Sequence, residues 1–157
     1  MTRLSAVLIG ASAVAMALST FVVGPAQATE AKSAPAAAAV INTFKNRHTG
    51  ACVDSNAAGH AYALTCNAGN YQNWEVTNVG GASRELKNAQ TKLCLDDSDY
   101  YGLRTVGCNS QQYQRWDKIV QPNGISLRNV ATGRCLDDSD QGLRTVARNN
   151  LDYQIWW

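Results

Sequence analysis

Histidine is nearly absent, with His48 and His60 the two in 157 residues. Glutamate is hardly commoner, at Glu30, Glu75 and Glu85. With so few proton-handling side chains, and no His-x-x-x-His or Gly-x-Ser-x-Gly spacing, the sequence spells neither a zinc hydrolase nor a serine esterase. Net charge is also slight: 14 basic against 12 acidic residues leave +2. Nucleic acids and anionic membranes are held by concentrated basic fields, so neither is an expected partner. Helical apolar periodicity is missing from residue 41 onward. No cofactor is implied.

What is there begins with a leader. Arg3 precedes the apolar run LSAVLIGASAVAMALSTFVV, then Gly24-Pro25 and Ala26-Gln27-Ala28. A basic start, an apolar middle and an A-x-A site read as a secretory signal peptide over 1–28. A run of about twenty apolar residues could also span a bilayer. Its serines, threonine and glycine, and the cleavage signal behind it, favour removal, secretion and no membrane insertion afterwards. The Ala-rich stretch 29–40 reads as a disordered lead-in. About 115 residues follow, enough for one domain. All five cysteines lie there, where disulfides persist, and an odd count leaves at least one unpaired within the chain.

That domain is written three times. FKNRHTGACVD (44–54), LKNAQTKLCLD (86–96) and LRNVATGRCLD (127–137) align without a gap. Each copy ends in YQNW (71–74), YQRW (113–116) or YQIW (153–156). The period is 42 residues from Asn46 to Asn88 and 41 from Asn88 to Asn129. Inside each copy, short Val/Leu/Ile/Tyr/Trp pieces between Gly, Asn, Asp and Ser read as about four strands. Three units are too few for a propeller ring, and they suit a closed barrel with threefold pseudosymmetry.

Three C-[LV]-D motifs in register with three Q-x-W motifs resemble the ricin B-chain type lectin domain over 41–157. The resemblance implies an all-β fold, a β-trefoil of three repeats (about 41–84, 85–124 and 125–157) closed as a barrel with a hairpin cap. The last repeat stops at Trp157, so its final strand is expected to be short and the closure weaker. Cys52 with Cys66 and Cys94 with Cys108, each 14 apart, are expected as intra-repeat disulfides. Cys135 meets Arg148 where its partner would stand, so a buried free thiol is expected, with an intermolecular bridge, and hence a dimer, as its rival.

In the resembled family the Q-x-W tryptophan is structural, and Trp74, Trp116 and Trp156 are expected in the core. Gln72, Gln114 and Gln154 sit on the same strand face, and scaffold and ligand contact are both open to them. The family's C-x-D carboxylate accepts bonds from adjacent sugar hydroxyls, a task suited to an acceptor-only group. Asp54, Asp96 and Asp137 hold that position, with turn-forming Asx bonding as the alternative. Where the family often carries an aromatic, two residues before the second cysteine, this chain has Leu64, Val106 and Val146. Where it carries Asn before the Gln, this chain has Tyr71, Tyr113 and Tyr153. Tyr62 in repeat one, and Tyr101 or Tyr100 in repeat two, are the candidates for the missing stacking face. Repeat three offers Gln141 and no loop tyrosine.

Asp137–Arg148 counts like an EF-hand loop but ends in arginine where a bidentate glutamate is required, so no metal is expected. His48 with Cys52 and Cys66 could be drawn as ligands, but in an exported chain disulfides explain that spacing better. The reading is a secreted, non-catalytic, multivalent lectin, a monomer binding glycans weakly. A protein-binding trefoil with decayed sugar sites is the alternative, and a small glycoside hydrolase ranks last.

Overall fold

Residues 39–157 are described by the structure, a computed structural model. The expected signal peptide over 1–28 and almost all of the expected lead-in over 29–40 lie outside the described residues. Short apolar runs broken by Gly, Asn and Asp yield eleven strands, of three to seven residues each. Among the described residues no helix is long and apolar enough to cross a membrane.

Repeat one contributes β1 (Val40–Asn42), β2 (Ala51–Ser55), β3 (Ala61–Thr65) and β4 (Trp74–Gly80). Repeat two contributes β5 (Ser83–Asn88), β6 (Cys94–Ser98), β7 (Gly102–Val106) and β8 (Arg115–Gln121). Repeat three contributes β9 (Gly124–Asn129), β10 (Cys135–Ser139) and β11 (Gly142–Val146). The first and last strands of the repeats run β1-β4-β5-β8-β9 as an antiparallel ladder. The middle pairs form three cap hairpins, β2–β3, β6–β7 and β10–β11.

The sequence leads one to expect about twelve strands; the twelfth is reduced here to a bridge. Trp156 pairs with Ile125 on one side and Asn46 on the other. Those pairs are the threefold images of Trp116 with Arg84 and with Asn129. Lys45 and Trp157 exchange backbone bonds of 2.9 and 3.1 Å beside them. By contrast β4–β5 and β8–β9 each hold six register pairs. No continuous strand closes the ring; backbone bonds of three residues span the gap, the Arg47 N–H also donating to the Ile155 carbonyl at 2.8 Å. A cavity of about 340 Å³ opens at this end of the barrel, lined by apolar residues such as Val40, Phe44, Val76, Leu86 and Leu127.

The core repeats in triples. Phe44, Leu86 and Leu127 form one, Val53, Leu95 and Leu136 a second, and Trp74, Trp116 and Trp156 a third. All three tryptophans are fully buried. Their indole N–H groups donate to the carbonyls of Val53, Leu95 and Leu136 at 3.1, 3.0 and 3.2 Å. A buried indole thus keeps a partner while its ring fills the barrel. Neighbouring repeats are tied by Asn46, Asn88 and Asn129, whose amides each donate at 2.7 Å to the carbonyl of Tyr153, Tyr71 or Tyr113.

Two hairpins are bridged, Cys52–Cys66 and Cys94–Cys108, with Cα separations of 5.1 and 5.0 Å. Cys135 is free and wholly buried, and burial pushes its thiol above the ordinary range. An intermolecular bridge, the rival expectation, would require β10 to open first.

Candidate functional site

Alternation along the first strand of each cap hairpin sorts its side chains. Val53, Leu95 and Leu136 enter the core, and the aspartates that follow take the opposite face. Antiparallel register then decides what each aspartate meets: Asp54 is opposite Tyr62, Asp96 opposite Arg104 and Asp137 opposite Arg144. The three carboxylates are equivalent; their partners are not.

In repeat two, Arg104 Nε donates to Asp96 Oδ1 at 3.0 Å, and its guanidinium lies over the Tyr101 ring at 4.1 Å. In repeat three, Arg144 Nε lies 3.4 Å from Asp137 Oδ1, and a terminal nitrogen bonds Gln141. In repeat one the Tyr62 phenol is pushed up by burial, by its bond to Asp54 and by that carboxylate's charge, with Tyr71 nearby. Register made both arginines findable from the sequence: each lies as far beyond its turn as its aspartate lies before it. The C-x-D and Q-x-W patterns point to aspartates, tyrosines and glutamines, and not to these arginines.

A shallow cavity of about 340 Å³ forms in repeat two, lined by residues that include Asp96, Tyr100, Tyr101, Arg104, Asn109 and Tyr113. The structure therefore brings Asp96, Tyr101 and Tyr113 together, as well as the alternative Tyr100. In repeat one Asp54 and Tyr62 are cross-strand partners, and Tyr71 lies near enough for its charge to act on the Tyr62 phenol. In repeat three, His48 packs against Tyr153 at a tilt of 43°, ring centroids 4.0 Å apart, on a ring whose counterparts Tyr71 and Tyr113 are left half exposed.

The three glutamines stand apart. Gln72, Gln114 and Gln154 are fully buried. Each amide oxygen accepts from the backbone N–H of Asn67, Asn109 or Asn149, at 2.9, 2.7 and 3.0 Å. Each amide nitrogen donates to the carbonyl of Thr65, Gly107 or Ala147. Both ends being occupied by backbone, the contact these glutamines make is scaffold rather than ligand. What they hold is the loop forming one wall of the site, where Ala68, Ser110 and Asn150 take positive φ of 57°, 58° and 58°. That conformation is uncommon for residues other than glycine and persists where surrounding bonds impose it.

The second aspartate of each repeated C-L-D-D faces the other way. Asp97 is fully buried and bonds repeat three through Thr132, Arg134 and Thr145. It does not share the cavity with Asp96. Among the described residues, the one cluster with metal-ligating atoms close together is Glu85 with Cys94 and Cys108. Both cysteines are in the disulfide, which removes their thiolates as ligands.

Residues 41–156 match the sequence profile of the family described as the ricin-type beta-trefoil lectin domain. No curated protein sequence matches the chain. Among solved structures it is similar to a designed threefold-symmetric protein, ThreeFoil, at 19% identity and TM-score 0.68, covering 74% of this chain and 95% of that one. It is also similar to the BEL beta-trefoil at 13% identity and TM-score 0.68, covering 76% and 92%. A third likeness is to the hemolytic lectin CEL-III at 21% identity and TM-score 0.65, where 76% of this chain corresponds to 30% of that one. At these identities the likeness is one of fold.

Proposed function

The chain belongs to the ricin-type β-trefoil lectin family, and from that premise we propose that it is a secreted, non-catalytic lectin binding glycans through repeats one and two. The family makes it a carbohydrate-binding module. The observation that carries the finer reading is the Asp-plus-tyrosine grouping, present with open aromatic faces in repeats one and two and packed against His48 in repeat three. A sugar needs hydroxyl acceptors beside a flat apolar face, because the C–H side of the ring must be desolvated too. One such shallow site corresponds to millimolar affinity, about −4 kcal/mol. Two sites on one rigid body gain through avidity on a polyvalent surface. The non-catalytic part of the reading is supported by Asp96 and Asp97, which point to opposite faces, and by the arginine each engages.

A glycan array followed by titration of single variants tests this. Asp54→Ala and Asp96→Ala are each expected to silence one site, since a charged hydrogen bond contributes about 1.5–3 kcal/mol. Asp137→Ala is expected to change binding little. Circular dichroism must show each fold intact. If Asp137→Ala proves the most damaging, the ranking of repeats is wrong. Silence across neutral and acidic glycans alike favours the protein-binding alternative, to which the Asp96–Arg104 and Asp137–Arg144 pairs lend support because they occupy the acceptors.

A further inference from the structure

We infer that the site in repeat two takes an acidic sugar, its carboxylate gripped by Arg104, while the site in repeat one takes a neutral one. This rests on the carbohydrate-binding reading above and names the ligand class of one of its sites. Arg104 is anchored along one edge by Asp96, at 3.0 Å, and on one face by the Tyr101 ring, at 4.1 Å. Its Nε makes that bond, and its two terminal amino groups have no hydrogen-bond partner among the described residues. The side chain is one-third exposed and lines the cavity. A planar fork fixed from behind with two donors free in front suits bidentate capture of a carboxylate.

The neighbouring arginine shows the difference. Arg134 spends Nε and both terminal nitrogens on Asp97, Asp99 and the Ser98 carbonyl, at 2.8–3.2 Å. Asp99, the other acid at the cavity, is thereby held by Arg134, as Asp96 is by Arg104. Each acid already has its cation, so an incoming anion meets donors rather than an unbalanced negative field. In repeat one the equivalent of Arg104 is Tyr62, so the same fold carries its own neutral control.

The test uses the full exported chain and three probes: oligomers of galacturonate, of glucuronate and of N-acetylneuraminate, each beside its carboxyl-reduced form. At least one acidic oligomer is expected to bind about tenfold or more tighter than its reduced partner, the factor for about 1.4 kcal/mol and close to the lower bound for one charged hydrogen bond. That advantage should shrink between about 20 and about 500 mM salt. Arg104→Gln should abolish the preference and Arg104→Lys should retain part of it, with melting curves confirming both folds. No preference in any of the three pairs, or a preference surviving Arg104→Gln, overturns the inference. Binding of reduced oligomers without acid preference defeats this inference alone, whereas no binding of either form, together with silence across the glycan array, defeats the lectin reading as well.

Discussion

Asp97 and Asp138 are images of each other under the threefold repeat, and Ser55 is the third image; their surroundings differ at each turn. Asp97 meets Arg134 and the Thr132 and Thr145 hydroxyls from the following repeat. Asp138 has only the Thr49 hydroxyl, because Ala51 stands where Arg134 would be. Ser55 is too short to reach, and its hydroxyl and that of Thr105 are buried without a partner. Burial, with the Asp137 charge adding to it, therefore pushes the Asp138 carboxyl above its ordinary value. A raised carboxyl costs nothing below its unfolded-state pKa; the penalty grows as pH rises toward the folded value and is full above it. Asp138→Asn, which keeps an acceptor for Thr49, is expected to raise Tm by a few degrees at about pH 7 and hardly at all at about pH 3. An equal gain at both pH values would show that ionisation is not the cause. The alternation that turns Asp97 away from Asp96 was legible in C-L-D-D. Its partner Arg134 was not, because 37 residues separate them and only packing of repeats brings them together.

At the scale of hairpins, β10–β11 lacks what β2–β3 and β6–β7 possess. Cys135 pairs with Val146 as Cys52 pairs with Leu64 and Cys94 with Val106, and the bridging cysteine lies two residues further in the first two. Position 148 is therefore the geometric image of Cys66 and Cys108. Arg148→Cys is expected to form a third bridge with Cys135. Closing a loop of about 14 residues contributes about 3 kcal/mol in the chain-entropy model, a rise in Tm of about 10 °C. Peptide mapping without reductant and a thermal melt check both parts; a bridge that forms but lowers Tm would mean the hairpin is distorted by it. This framework could be read from the repeat period, since a residue missing from one copy is visible against the other two. The loops held by Gln72, Gln114 and Gln154 could not, because the positive φ at Ala68, Ser110 and Asn150 follows from tertiary bonds, not from the residue type.

For the whole molecule, three copies of one pattern were enough to give the trefoil, and a core of triples is its physical expression. The ring does not hold together evenly. Two of its three repeat junctions are six-pair ladders, and the third rests on Ile155, Trp156 and Trp157. Gly124 lets them in: at φ 144° it sits so close that a Cβ would lie 2.5 Å from the Trp156 carbonyl. In time rather than in space, this makes the molecule a ring with a latch. Local openings with few bonds to break are the most frequent, so the amides of Lys45, Ile125 and Trp156 are expected to exchange with deuterium through excursions that leave β4–β5 and β8–β9 protected. Gly124→Ala should speed exchange at those amides before it speeds exchange in either ladder; uniform acceleration across all three junctions would mean the ring opens as one unit. The third repeat, already without a disulfide, would then be the first to leave the barrel and the last to rejoin it.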